Sequence, residues 1–129
     1  MHFKLSPASP IPMYLQIVEQ VRHAVAAGAV QAGDDLPSVR ALASQHLINP
    51  NTVARAYLEL EHEGLLSKRR GSGTYVSDTA EALSQQHRLR AVGEMLQKAL
   101  AAANEFGLSG QQVRALWEKH LHTRRERSA

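Results

Sequence analysis

The stretch Ser67 to Val76 reads SKRRGSGTYV: Lys68, Arg69 and Arg70, then Gly71-Ser72-Gly73, then a β-type apolar run. Glycines beside cations can do one of two things. They can cradle a small-molecule phosphate, or they can turn a basic hairpin toward a larger polyanion. A dinucleotide loop needs G-x-G-x-x-G after a strand and leading into a helix. Here the third glycine position is Val76, and the run that follows the tip is strand-like. A P-loop needs Gly-Lys-Ser/Thr, which the chain lacks. The residues favour the hairpin.

Other chemistry is thinly represented. The seven histidines, His2, His23, His46, His62, His87, His120 and His122, do not reach a metal-ligand spacing with a neighbouring carboxylate on one helical face. His120 and His122 fall on different faces of any helix. The sequence has no Ser-His-Asp or paired-carboxylate pattern that would support catalysis. It has no cysteine, which removes disulfides, thiolate nucleophiles and Cys-ligated zinc and suits a reducing cytosol. No enzyme activity, cofactor or metal is therefore expected. No apolar run approaches a membrane span, and no apolar leader segment is present, so the expectation is a soluble cytoplasmic protein with no membrane partner.

The remaining candidates need elements to position them. At 129 residues and 43% apolar, the chain can build a packed core, while 5% aromatic content argues against a large aromatic-lined pocket. The arm SPASPIP is turn-rich up to Pro12, which can open a helix at no cost in hydrogen bonds. Ile17, Val21, Ala24 and Val25 then recur at helical spacing over roughly 12–27. Ser38 is an N-cap candidate for a second helix ending near His46, with Val39, Leu42 and Ala43 inward. Asn49 followed by Pro50 predicts a third helix over about 50–63, stopped by Gly64. Leu65 to Arg69 and Thr74 to Val76 read as the two strands of a hairpin, with the glycines at its tip.

The third helix shows where the chemistry would point. At about 100° per residue, Ala56, Tyr57 and Leu60 fall with Val53 on one face. Asn51, Arg55 and His62 fall near the opposite pole. Thr52 and Asn49 sit at the N-terminal end. Asn pairs with adenine, Arg with guanine, and hydroxyls and free amides with phosphates. A surface helix is commonly polar outside, so this face alone decides little. Two helices joined by a short turn and followed by a basic glycine-tipped hairpin decide more. They describe a winged helix-turn-helix, with Arg69 and Arg70 placed for phosphate or minor-groove contacts.

Beyond Asp78 the character changes. Residues 1–78 carry seven Lys/Arg and seven Asp/Glu, whereas residues 79–129 carry eight and five. Leu89, Val92, Leu96, Ala99, Ala103 and Phe106 form an a/d seam that ends at Gly107. Ser109 and Gln112 form a capping box for a last amphipathic helix with Val113, Leu116, Trp117, His120 and Leu121. The polar end TRRERSA is expected to fray. Together with Leu100, these apolar residues are too many for a lone helical pair to bury. A symmetric homodimer through them is the economical solution. Packing of the tail onto its own winged helix is the alternative.

The motifs LPSVRALASQ, NPNTVARAYLELEHEGLL and RRGSGTYV, with IPMYLQI before them, resemble the DNA-binding winged helix of the GntR family of bacterial transcription regulators over roughly residues 10–77. The short two-helix tail resembles the YtrA subfamily. The resemblance implies a mainly α (α+β) winged helix-turn-helix over 1–77 and a helical dimerisation tail over 78–129. It implies a repressor that binds double-stranded DNA at an inverted repeat. It places contacts on the base-reading Arg40, on Asn49, Asn51 and Thr52 at the start of the recognition helix, and on Arg70, Gly71 and Gly73 at the wing tip. Ser38, Arg55, Arg69 and Ser72 complete the expected DNA-binding set. Many family members carry arginines where this chain has Pro50 and Ala54, which implies a different base code. Arg55 is left with three readings: base reader, phosphate contact, or partner of Glu59 four residues on. The chain has no room for a large effector domain, so any small-molecule effector would have to bind between tail and winged helix. A module that holds a protein or RNA partner with the same hairpin is the alternative function.

Overall fold

The structure is a computed structural model that describes residues 1–69, 71 and 73–128. Among the described residues, five helices and one hairpin follow in the order α1 (Met13–Ala26), α2 (Val39–His46), α3 (Pro50–Glu63), β1 (Leu66–Lys68), β2 (Thr74–Val76), α4 (Ala80–Glu105) and α5 (Gly110–Ser128). They divide into two compact units, the first ending at Leu89 and the second starting at Arg90.

Local chemistry sets the helix ends of the first unit. Pro12 precedes α1, and its carbonyl accepts from the Leu15 and Gln16 amides. The Ser38 hydroxyl accepts from the Ala41 amide at 3.0 Å, which caps α2. The Asn49 side chain accepts from the Asn51 amide at 2.8 Å, and Pro50 fills the first position of α3. Gly64 closes α3 at φ 87°, the left-handed region that glycine enters without a Cβ clash. Leu47 closes α2 at φ 53° with no such freedom.

Ile17, Val18, Val21 and Val25 of α1 pack with Leu42 and Ala43 of α2 and with Val53, Ala56, Tyr57 and Leu60 of α3. Leu66 and Val76 of the hairpin and Ala80 of α4 close this core. Burying such side chains stabilises by about 1.5–3 kcal/mol each before entropy is set against it.

The sheet is wider than its two named strands. β1 and β2 pair antiparallel with Leu66 opposite Val76, Ser67 opposite Tyr75 and Lys68 opposite Thr74. The first strand is shorter than the expected Leu65 to Arg69, because Leu65 turns out of the helix cap while Arg69 begins the tip. On the other edge of β2, Asp35 bridges Tyr75. The Leu36 amide donates to Thr74 at 2.9 Å, the Val76 amide to Asp34 at 2.9 Å and the Gly33 amide to Val76 at 2.8 Å. The turn before α2 therefore acts as a third strand, a pairing that its Gly-Asp-Asp composition hides.

The N-terminal arm is held more firmly than its turn-rich sequence suggests. Phe3 is buried in the core. Gln16 accepts from the Ser6 amide and donates to the Ser6 and Ile11 carbonyls, each at 2.9 Å. Gln20 does the same for the Lys4 amide and carbonyl.

The expected division at 77/78 falls just before α4, and the first turns of that helix belong to the first unit. Ala80 and Ser84 are buried there, and Arg88 donates to the Ala26 carbonyl at the end of α1 at 3.1 Å. In the second unit the Ser109 hydroxyl accepts from the Gln112 amide, and Gln112 accepts from the Ser109 amide. That is the expected capping box. α5 then continues to Ser128, so the expected fraying of the last seven residues is corrected: most of TRRERSA is helical. Arg and Glu are good helix formers, and nothing in that stretch breaks the hydrogen-bond ladder.

Candidate nucleic-acid interface

The α3 stripe Val53, Ala56, Tyr57 and Leu60 is fully inside, which turns Asn51, Ala54, Arg55, Leu58 and His62 toward solvent. Thr52 is half-buried in the first turn, beside the exposed cap Asn49. Because α3 starts in the open, the positive end of its dipole is available to an anion. Arg40, on the first turn of α2, is also exposed and makes no hydrogen bond or ion pair with a described residue. Tyr57 couples the two helices: its phenol donates to the Pro37 carbonyl at 2.7 Å, just before the Ser38 cap. Burial pushes that phenol above its ordinary pKa.

Arg55 does not pair with Glu59. Its guanidinium carbon lies 3.7 Å from the centroid of the Tyr14 ring, on the first turn of α1. Arg69 is also partly committed. It donates to the Gly33 carbonyl at 3.1 Å, lies 3.8 Å from an Asp35 carboxylate oxygen, and sits 4.6 Å from the Tyr75 centroid. Its head braces the hairpin to the third strand while the residue remains exposed.

The glycines of the tip fit a close approach. Gly71 at φ 82° and Gly73 at φ 75° are exposed, and a Cβ on either would meet nothing within 4 Å. Their requirement is thus conformational, and the open space is on the outer side. Arg70 and Ser72, also expected at the contact surface, lie outside the described residues.

Away from this surface, Arg22 of α1 forms an ion pair with Glu63 at the end of α3, donating from Nε at 3.0 Å and also from Nη2, and a second ion pair with Glu19. The hydrogen bond to Glu63 raises the guanidinium pKa further. This pair joins α1 to α3 and is spent internally. Among the described residues, no group of histidines and carboxylates could hold a metal ion. No described helix is long and apolar enough to cross a membrane.

The structure thus brings Ser38, Arg40, Asn49, Asn51, Thr52, Arg55, Arg69, Gly71 and Gly73 to exposed or half-exposed positions of one compact unit. Sequence reasoning missed Tyr14, Gly33 and Asp35 as supports for this surface. Tyr14 and Arg55 are 41 positions apart, and nothing local in either segment announces the stack.

A model of the bacterial regulatory proteins of the gntR family matches residues 13–76. The HTH-type transcriptional repressor YtrA of Bacillus subtilis is 36% identical over 118 residues, covering 92% of this chain and 90% of the relative. A crystal structure of a transcriptional regulator from Oenococcus oeni is 32% identical, with a TM-score of 0.78 over 91% of this chain and 97% of that one. YtrA from Sulfolobus acidocaldarius, a GntR-family transcription factor, is also 32% identical, with a TM-score of 0.55 over 70% of this chain and 97% of its own.

Proposed function

The chain belongs to the gntR family of bacterial regulatory proteins, and from that premise we propose that it represses transcription by binding duplex DNA as a homodimer. The observation that carries the reading is the split personality of α3. Four buried side chains fix it in the core, while Asn51 and Arg55 face solvent, as does Arg40 on α2. Such a helix fits the major groove with its N-terminal residues at the base edges. Gly71 and Gly73 let the wing backbone approach the phosphates closely, and Arg69 brings charge to its root. The named relatives are transcriptional regulators, and we assign no catalysis. Such a regulator would work in the cytoplasm.

The dimer is argued from the second unit. Val92, Met95, Leu100, Leu116 and Trp117 are exposed, and Phe106 is 80% exposed. Leu96 and Ala99 are likewise uncovered, whereas Ala103, Val113 and Leu121 are half-buried. Leu89, at the end of the first unit, is 79% exposed and continues the seam. A partner copy would remove this surface from water and set two recognition helices on half-sites about one helical turn apart.

Selection of bound duplexes from a random pool tests the reading. The expected result is a palindromic consensus, bound with a strong salt dependence. Arg40→Ala should then cost on the order of 1–3 kcal/mol and relax specificity at one base pair. Salt-insensitive binding with no consensus would favour a module for a protein or RNA partner. Sedimentation of wild type and of Leu96→Glu tests the dimer: the variant should run as a monomer, and a monomeric wild type would refute the pairing.

A further inference from the structure

Of the cations on the proposed contact surface, Arg55 is held in a distinctive way. Arg40 makes no hydrogen bond or ion pair with a described residue. Arg69 has part of its fork occupied by Gly33 and Asp35. Arg55 is stacked at 3.7 Å on the Tyr14 ring, and no described residue accepts a hydrogen bond from it or pairs with it. Stacking uses the face of a guanidinium and leaves the N–H donors at its edge unspent.

Tyr14 is itself well anchored. It lies on the first turn of α1 and is half-buried. The chain leading into it is fixed by Gln16, which donates to the Ile11 carbonyl at 2.9 Å and also grips Ser6. The partly buried ring rests against the hydrophobic core. A rigid aromatic plate on α1 therefore faces a planar cation on α3, and both belong to the same compact unit.

We propose that Tyr14 is a positioning residue of the duplex-binding surface, which by stacking on Arg55 fixes the guanidinium so that its free edge meets a pair of acceptor atoms on the nucleic acid. The proposal rests on the duplex-binding reading above. It extends the surface to a residue of α1 that touches no base itself. The acceptor pair is either two phosphate oxygens or the O6 and N7 of a guanine, since both match the fork. Without the ring, Arg55 would keep its charge but lose its fixed plane, and ordering it on binding would cost affinity.

The test compares Tyr14→Leu, Tyr14→Phe, Arg55→Ala and the double variant Tyr14→Leu/Arg55→Ala, all in the full chain. The probes are the duplex selected by the wild type and a random-sequence duplex. Tyr14→Leu should weaken binding about three- to tenfold, and Tyr14→Phe, which keeps the ring, should stay within about twofold. The double variant should bind no more weakly than Arg55→Ala alone. Losses that multiply in the double variant, or no loss in Tyr14→Leu, would overturn the proposal. A loss confined to the selected duplex assigns Arg55 to a base, and an equal loss on both probes with a shallower salt slope assigns it to phosphate. The Arg55 side-chain resonances of the free protein supply a readout without DNA. They should shift in Tyr14→Leu and stay in place in Tyr14→Phe, and unchanged resonances in Tyr14→Leu would disprove the stack. A wild type that selects no duplex would instead bring down the duplex-binding reading and this proposal with it, while the resonances still decide whether the stack exists.

Discussion

The phenol of Tyr57 donates to the carbonyl of Pro37 at 2.7 Å, so the buried side of α3 holds the chain just where α2 and Arg40 begin. This bond reaches across 20 positions and is shielded from water, since Tyr57 is buried against Val53 and Leu60. It fixes the relation of the two helices that the proposed function sets against one duplex.

Burial raises the Tyr57 pKa in the folded state. The unfolded chain would ionise this phenol near its ordinary value of about pH 10, while the folded chain would resist. The contribution is thus fully present below about pH 10 and is lost as pH rises toward the higher folded value. Wild-type stability should fall in that window by on the order of 1 kcal/mol per pH unit from this group. Tyr57→Phe should lose about 1 kcal/mol at neutral pH, through the missing hydrogen bond, and show a flatter alkaline limb. Urea titrations at several pH values check this, and parallel alkaline limbs for the two proteins would contradict it.

Arg69 is a brace as much as a charge, since its head engages Gly33, Asp35 and the Tyr75 ring. Arg69→Lys keeps the cation but cannot reproduce the planar fork that reaches both Gly33 and Asp35 or the stack on Tyr75. If the brace matters, Arg69→Lys and Arg69→Ala should weaken duplex binding to a similar degree, and the Leu36 and Val76 amides should exchange faster in both. Full retention of affinity by the lysine variant would show that charge alone suffices.

Leu47 sits at φ 53° and is 93% exposed in the turn between α2 and α3. It accepts a left-handed backbone without gaining burial in return, at a cost of about 1–2 kcal/mol for a residue with a Cβ. Glycine would remove that cost and give back part of it as unfolded-state entropy. Leu47→Gly should therefore raise stability by about 0.5–1 kcal/mol, seen as a higher urea midpoint at unchanged slope. A lower midpoint would mean that the side chain makes a contact that counts.

Gln16 makes three hydrogen bonds to the arm and is itself buried. Gln16→Ala should cost about 1–3 kcal/mol by leaving the Ser6 and Ile11 groups without partners. The Ser6 amide should lose its protection from hydrogen exchange while α3 amides keep theirs. Retained protection at Ser6 would show that Phe3 and Gln20 suffice to pin the arm.

Much of the fold could be read from the sequence because the signals are local. Pro12, Ser38, Asn49-Pro50 and Gly64 act on backbone groups within four positions, so they place α1, α2 and α3 to within a residue or two. The same holds for the Ser109 and Gln112 box before α5. The inward stripe of α3 follows from a 3.6-residue period, and its outward residues follow by elimination. The strand added by Gly33 to Leu36 could not be read, because its residues favour turns and its hydrogen bonds go to β2, some forty positions away.

The sequence by itself determined which residues face outward: helical periodicity and caps decide that within each element, and Arg40, Asn51 and Arg55 are exposed accordingly. Only the tertiary structure decided what those outward residues can do. It stacked Arg55 on Tyr14, engaged Arg69 with Gly33 and Asp35, and left Arg40 without a described partner. The physical reason is distance along the chain. A side chain's partner is set by how the helices pack, and packing brings together residues that no local period relates.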